Sequence, residues 1–273
     1  MLGEQKWVEI SDFFVKPKIL YGEITATHEV ENVFYVIAPY GISTLKNEEY
    51  LFSADKYVNY EYFTSCVIGN NILVVRQQSE TRGTLEFKLF DTKSKQLSDL
   101  VIETSRYEFA IVEFLNQIWI VGGFGHVGSS KFEQLNTVQI YDPVSKTHFL
   151  PSIEMAQARS DCKVIVYKNK LFVFGGRVGY DKSPSSVEMY SADTNKFVLM
   201  APMKIARYSF GCCRVGNLVY VIGGYTEDGS TRQGDFLKSV EVYNLDTDTW
   251  SDGVDLPEAR SGLHACAGSN KLK

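Results

Sequence analysis

Residues 106–123 read RYEFAIVEFLNQIWIVGG, residues 159–176 read RSDCKVIVYKNKLFVFGG and residues 207–224 read RYSFGCCRVGNLVYVIGG. In each, an arginine (Arg106, Arg159, Arg207) stands 16 residues before a double glycine: Gly122-Gly123, Gly175-Gly176 and Gly223-Gly224. The glycine pairs lie 53 and 48 residues apart. A fixed period near that length marks a repeat in which each unit is one supersecondary element. Working outward, a variable polar loop follows each pair, then TVQIYD, SVEMYS or SVEVYN, carrying Tyr141, Tyr190 and Tyr243. An aromatic comes seven or eight residues later (Phe149, Phe197, Trp250), and a turn rich in Pro, Met and Leu leads to the next arginine. Short apolar runs bounded by Gly, Pro, Asn and Asp read as strands, and four of them fit one unit of about 50 residues. The expectation is an all-β chain built from four-stranded blades.

The repeated residue types have physical reasons. Glycine pairs after a buried strand suit a backbone that must turn with positive φ or approach a neighbour closely. The tyrosines and the following Phe or Trp offer large apolar faces for packing blade against blade. The arginines are expected to bridge neighbouring blades by hydrogen bonds to carbonyls or to the glycine turns.

This order of arginine, double glycine, tyrosine and aromatic resembles the Kelch motif, closely so from Arg106 to Glu258. The resemblance implies a Kelch-type β-propeller forming one domain over residues 1–273, with repeats at about 20–57, 58–105, 106–158, 159–206 and 207–259. The upstream repeats are degraded: Arg76-Gln77 and Ala38-Pro39 occupy the glycine slots, Phe90-Asp91 stands for the later Tyr-Asp, and Leu97 takes an aromatic slot. Arg260 opens a further unit. Trp7 in QKWVEI is expected to supply its closing strand, which gives six blades with the last one incomplete and the chain a fragment.

Composition narrows the function. A hydrophobic fraction of 44% and a charged fraction of 22% describe a globular protein with a core, and 17 Phe and 16 Tyr favour strands. With a net charge of −5 and no Lys/Arg cluster, nucleic acid is not an expected partner. The sequence has neither a long apolar span nor a signal-peptide pattern, so no membrane role is expected and the location is read as cytoplasmic. The five cysteines are odd in number and lack C-x-x-C spacing, so neither a disulfide framework nor a zinc site is indicated. The four histidines, His28, His126, His148 and His264, occupy unmatched repeat positions, which argues against the clustered imidazoles of a copper centre. No G-x-S-x-G or GK[ST] element is present. No catalytic residues, metal ligands or cofactors are therefore assigned. A propeller enzyme acting on a sugar acid or an alcohol is the least favoured reading.

A rigid scaffold carries its function in its loops. In the Kelch family, partner peptides dock at the loops leading into the inner strands and at those after the double glycines. Carried over by position, the candidate partner-binding residues are Tyr107, Glu108, Asp161, Tyr208 and Ser209 after the arginines, and His126, Arg177, Tyr180, Tyr225 and Arg232 after the glycines. Their charges are mixed and assign neither an acidic nor a basic ligand. The resemblance to Kelch-like adaptors implies a protein or peptide substrate, and contact with a cullin through BTB and BACK domains that these residues do not contain. A cytoskeletal, actin-binding role is the alternative.

Overall fold

The computed structural model describes residues 26–30, 33–38, 41–44, 47–53, 60–78, 85–127, 131–151, 153–179, 182–227 and 234–265. Among these residues there is no helix. β1 (Ala26–Val30), β2 (Val33–Ala38), β3 (Gly41–Thr44) and β4 (Asn47–Ser53) form one antiparallel meander. β5 (Tyr60–Ile68), β6 (Asn71–Gln78), β7 (Leu85–Asp91) and β8 (Leu97–Leu100) form the second. Next come β9 (Arg106–Tyr107), β10 (Ala110–Phe114), β11 (Gln117–Val121), β12 (Phe124–Val127), β13 (Lys131–Gln134), β14 (Val138–Asp142) and β15 (Thr147–Phe149). Of these, β10-β11-β14-β15 make the third meander, and β13-β12-β9 a small sheet above it. The fourth meander is β16 (Lys163–Tyr167), β17 (Lys170–Phe174), β18 (Val187–Ser191) and β19 (Lys196–Met200). The fifth is β20 (Gly211–Val215), β21 (Leu218–Thr226), β22 (Asp235–Asn244) and β23 (Thr249–Asp252). The first strands of successive sheets lie against one another in the order β1, β5, β10, β16, β20, so the sheets stand radially as propeller blades.

The second strand of a blade is apolar on both faces because each face meets a different neighbour. In β11, Ile118 and Ile120 pack toward the second blade with Leu73, Val75 and Phe87, while Trp119 and Val121 pack toward the fourth with Leu171 and Val173. In β17 the alternation repeats, with Phe172 and Phe174 facing Val219 and Val221 of the fifth blade. Tyr141, Tyr190 and Tyr243 each lie in the interface with the preceding blade. Burial in that setting requires a partner for the phenol, and Tyr190 donates to Asn195 Oδ1 at 2.8 Å.

One repeat residue departs from the sequence expectation. Phe197 pairs directly across from Tyr190, and Trp250 from Tyr243, and both join the inter-blade packing. In the third blade the spacing is one residue longer, so His148 stands opposite Tyr141 and Phe149 opposite Ile140. A one-residue slip turns a side chain to the other face of the sheet. Phe149 is accordingly 43% exposed and does not pack between blades.

Two of the repeat arginines, Arg159 and Arg207, each serve two blades, whereas Arg106 bonds within its own blade and the Arg260 guanidinium reaches Glu258. The backbone of Arg159 accepts from Gly123 N (2.9 Å) and donates to Leu135 O (3.1 Å), both in the third blade. Its buried guanidinium reaches into the fourth, donating to Gly175 O (3.0 Å), Ser186 O (3.2 Å), Ser186 Oγ (2.9 Å) and Glu188 Oε1 (2.6 Å). Arg207 repeats the set with Gly223 O, Ser239 and Glu241. Glu188 also accepts from the backbone of Ala156 (2.6 Å) and Gln157 (3.2 Å), so both of its oxygens are bound. In the third blade the carboxylate is replaced by Gln139, which donates to Glu103 O instead, and Arg106 holds Gly122 O and Thr137 alone. Burial without that carboxylate pulls the Arg106 guanidinium down to about 10. At Arg207 burial also lowers it, with Glu241 opposing.

The double glycine is required by the same arrangement. Gly175 sits at φ +53°, and a Cβ there would lie 2.5 Å from Arg207 O; at Gly176 (φ +108°) it would lie 2.5 Å from Ser160 O. The first glycine thus makes room for the next blade, and the second for the chain's own return.

Two predictions follow from these contacts. Gly175→Ala lowers stability by about 3 kcal/mol, combining strain and clash, whereas Gly179→Ala, at φ +66° with open space around it, costs about 1 kcal/mol. Urea unfolding of the two variants measures both. By the same assay Glu188→Gln costs roughly 3 kcal/mol, because it strands a buried guanidinium, while Lys204→Ala, which removes the exposed pair with Asp252, costs under about 1 kcal/mol.

Candidate partner-binding face

The residue after each arginine pairs with the residue after each double glycine: Tyr107 with Phe124, Ser160 with Arg177, and Tyr208 with Tyr225. These pairs bring the two sets of sequence-selected residues onto one end of the blades. The next residue adopts a left-handed conformation in each blade, at Glu108 (φ 50°), Asp161 (φ 49°), Ser209 (φ 50°) and Gly262 (φ 68°). Non-glycine residues enter that region only when their surroundings hold them there. Here a belt of hydrogen bonds passes from blade to blade. Asp161 N donates to Glu108 O (2.7 Å), Ser160 Oγ to Glu108 Oε2 (2.9 Å), Ser209 Oγ to Asp161 Oδ2 (2.5 Å), and Gly262 N to Ser209 O (2.8 Å). The turns feed the innermost strands, so this belt is the inner rim of the face.

Outward from the rim the third and fifth blades carry aromatic clusters. On the third, Phe132 meets Phe124 edge-on at 4.3 Å between centroids, with His126 at 5.0 Å and Tyr107 at 5.9 Å. On the fifth, β21 and β22 run past the double glycine through an irregularity between Ile222 and Gly224, extending a hairpin on which Tyr225 touches Tyr208 (5.4 Å) and Phe236 (5.3 Å). The fourth blade has a short loop between these hairpins. Gln134 Nε2 donates to Gly179 O (2.9 Å) on one side, and Ser183 N to Glu227 O (3.4 Å) on the other. At its base, Arg177 lies over the Tyr208 ring at 5.1 Å. The Tyr208 hydroxyl donates to Glu227 Oε1 at 3.4 Å. Burial, with the Glu227 charge adding to it, pushes the Tyr208 phenol up to about 12.

Of the residues selected from sequence, Tyr107, Glu108, His126, Asp161, Arg177, Tyr208, Ser209 and Tyr225 share this face, whereas Tyr180 and Arg232 lie outside the described residues. Sequence reasoning missed Phe132, Phe236 and Glu227. They sit in loops of unequal length, where no repeat register indicates which residue turns inward. Among the described residues no group of three His, Cys, Asp or Glu is arranged to hold a metal ion. Cys66 and Cys162 are buried, which pushes both thiols up, Cys162 to about 11.

The fold and its face define a β-propeller with one loop-built, aromatic end. The Kelch motif model matches residues 158–204 and 206–257. An F-box/kelch-repeat protein of Arabidopsis thaliana is 36% identical over 118 residues, covering 42% of this chain and 30% of that protein. Kelch-like protein 25 of Xenopus tropicalis is 24% identical over 218 residues, covering 77% of this chain and 35% of its own length. This chain therefore spans about a third of the length of these relatives. The solved structure of YjhT superposes with a TM-score of 0.62 at 12% identity, covering 76% of this chain and 69% of that one, a likeness of fold. The chain carries Kelch motifs over residues 158–204 and 206–257 and is similar to Kelch-like proteins.

Glu227→Gln removes the charge beside Tyr208 and is expected to bring its phenol down from about 12, as read by NMR titration with ring-labelled tyrosine.

Proposed function

We propose that the chain is the partner-recognition propeller of a cytoplasmic ubiquitin-ligase adaptor, capturing a protein substrate on the face built by Tyr107, Phe124, Phe132, Arg177, Tyr208 and Tyr225. The observation that carries the reading is the pair of aromatic clusters flanking the short loop of the fourth blade. Phe132 and Phe236 remain 38% and 60% exposed there. Exposed aromatics on a rigid support are what a protein-binding hot spot uses. The coupling of kelch repeats with an F-box in the name of one relative supports the ligase setting. Similarity to Kelch-like proteins supports the same setting through a cullin.

The test is quantitative affinity capture of the whole protein, tagged at its own locus, beside a Tyr107→Ala/Tyr208→Ala variant with an unchanged Tm. A cullin is expected with both forms, and substrates are expected to fall about tenfold with the variant and to accumulate when the protein is depleted. Absence of a cullin from both forms, with cosedimentation on actin filaments, would replace the ligase reading with the cytoskeletal one.

A further inference from the structure

The partner-binding reading leaves the chemistry of the ligand open, and the inner rim narrows it. Glu108 and Asp161 are joined through the belt, and each carboxylate accepts a side-chain hydrogen bond, from the neutral hydroxyls of Ser160 and Ser209. Among the described residues neither carboxylate has a basic group within ion-pair distance. The repeat arginines beneath them do not neutralise this charge: Arg159 and Arg207 are directed to Glu188 and Glu241. Arg177 is stacked on Tyr208, and the backbone of Lys182 bridges to Val178. A third carboxylate, Glu227, follows β21 on the fifth blade and contacts Tyr208. Glu227 Oε2 is buried and has no hydrogen-bond partner among the described residues, although Oε1 accepts from Tyr208. A buried acceptor without a donor is costly, and the cost is relieved when a bound group supplies one.

The surroundings suit one kind of donor. Tyr107 stands immediately before Glu108 in the chain, Tyr208 already carries Arg177 over its ring, and a cation is attracted both to carboxylates and to tyrosine faces. Farther out, Phe132 and Phe236 are exposed apolar surface on either side. Resting on the reading of this face as the partner site, we propose that it takes a peptide segment presenting a lysine or arginine side chain to Glu108, Asp161 and Glu227, with apolar neighbours seated on the two aromatic clusters.

The test uses the full chain and immobilised short peptides, acetylated and amidated, in which phenylalanine and leucine flank a central lysine, glutamate or alanine. Lysine peptides are expected to bind about tenfold more tightly than glutamate peptides, with the preference fading between about 0.05 and 0.5 M salt. Glu108→Gln/Asp161→Asn keeps the belt acceptors and is expected to abolish the preference without changing Tm. Stronger binding of glutamate peptides, or a lysine preference intact in that variant, would overturn the inference. If that binding were still lost on Tyr107→Ala/Tyr208→Ala, the partner-face reading would stand. Retention of no peptide of any class, or a dimer in sedimentation that the peptides leave intact, would remove both readings, the latter by assigning the face to a second copy of the chain.

Discussion

The join between the third, fourth and fifth blades depends on a single residue type used twice, once by its backbone and once by its side chain. The backbone of Arg159 or Arg207 is hydrogen-bonded to the blade just completed, while its guanidinium grips the first glycine carbonyl and the third strand of the blade about to begin. A buried guanidinium needs its donors satisfied, and the need is met by carbonyls, a hydroxyl and a carboxylate that only the folded blade brings together. Position, hydrogen bonding and charge are thereby coupled at one point, which fixes how one blade meets the next.

Other features of the fold can be traced to that point. The carbonyl of the next arginine occupies the space where a side chain on the first glycine would stand, so glycine is required there for room as well as for its backbone angle. The glutamate of the third strand binds two backbone amides of the approaching segment and the guanidinium together, tying the entry of the chain to the middle of the blade. Where glutamine replaces it, as at Gln139, the side chain reverses polarity and donates to a carbonyl, and the arginine is left without an opposite charge. The blades therefore share a geometry but not an electrostatic balance.

The loop-built face inherits its order from the same anchors. Because each arginine is fixed, the residues that follow it are delivered to the rim in the same left-handed turn, whatever their identity. The scaffold holds a glutamate, an aspartate and a serine in equivalent places, and the loops after the glycines vary around them. Two of those loops extend as hairpins carrying aromatic side chains, and the short one between them is braced from both sides. Rigid placement of variable side chains is how one repeat architecture serves different partners.

By itself the sequence determined the repeat. Arg159, Gly175, Gly176 and Tyr190, with their counterparts in two other units, recur at nearly fixed spacing because each meets a backbone requirement that recurs with the blade. That regularity made the all-β propeller legible, and with it the loops that would share one end. What the sequence could not specify is which loop residues meet. Phe132, Phe236 and Glu227 lie in segments whose lengths differ between blades, so no register relates them, and their places follow from how each hairpin folds over its neighbours. The exposure of Phe149 was likewise decided in the folded sheet, where one added residue in the turn set the pairing and turned the ring outward. Local spacing encodes what repeats; contacts between blades decide what does not.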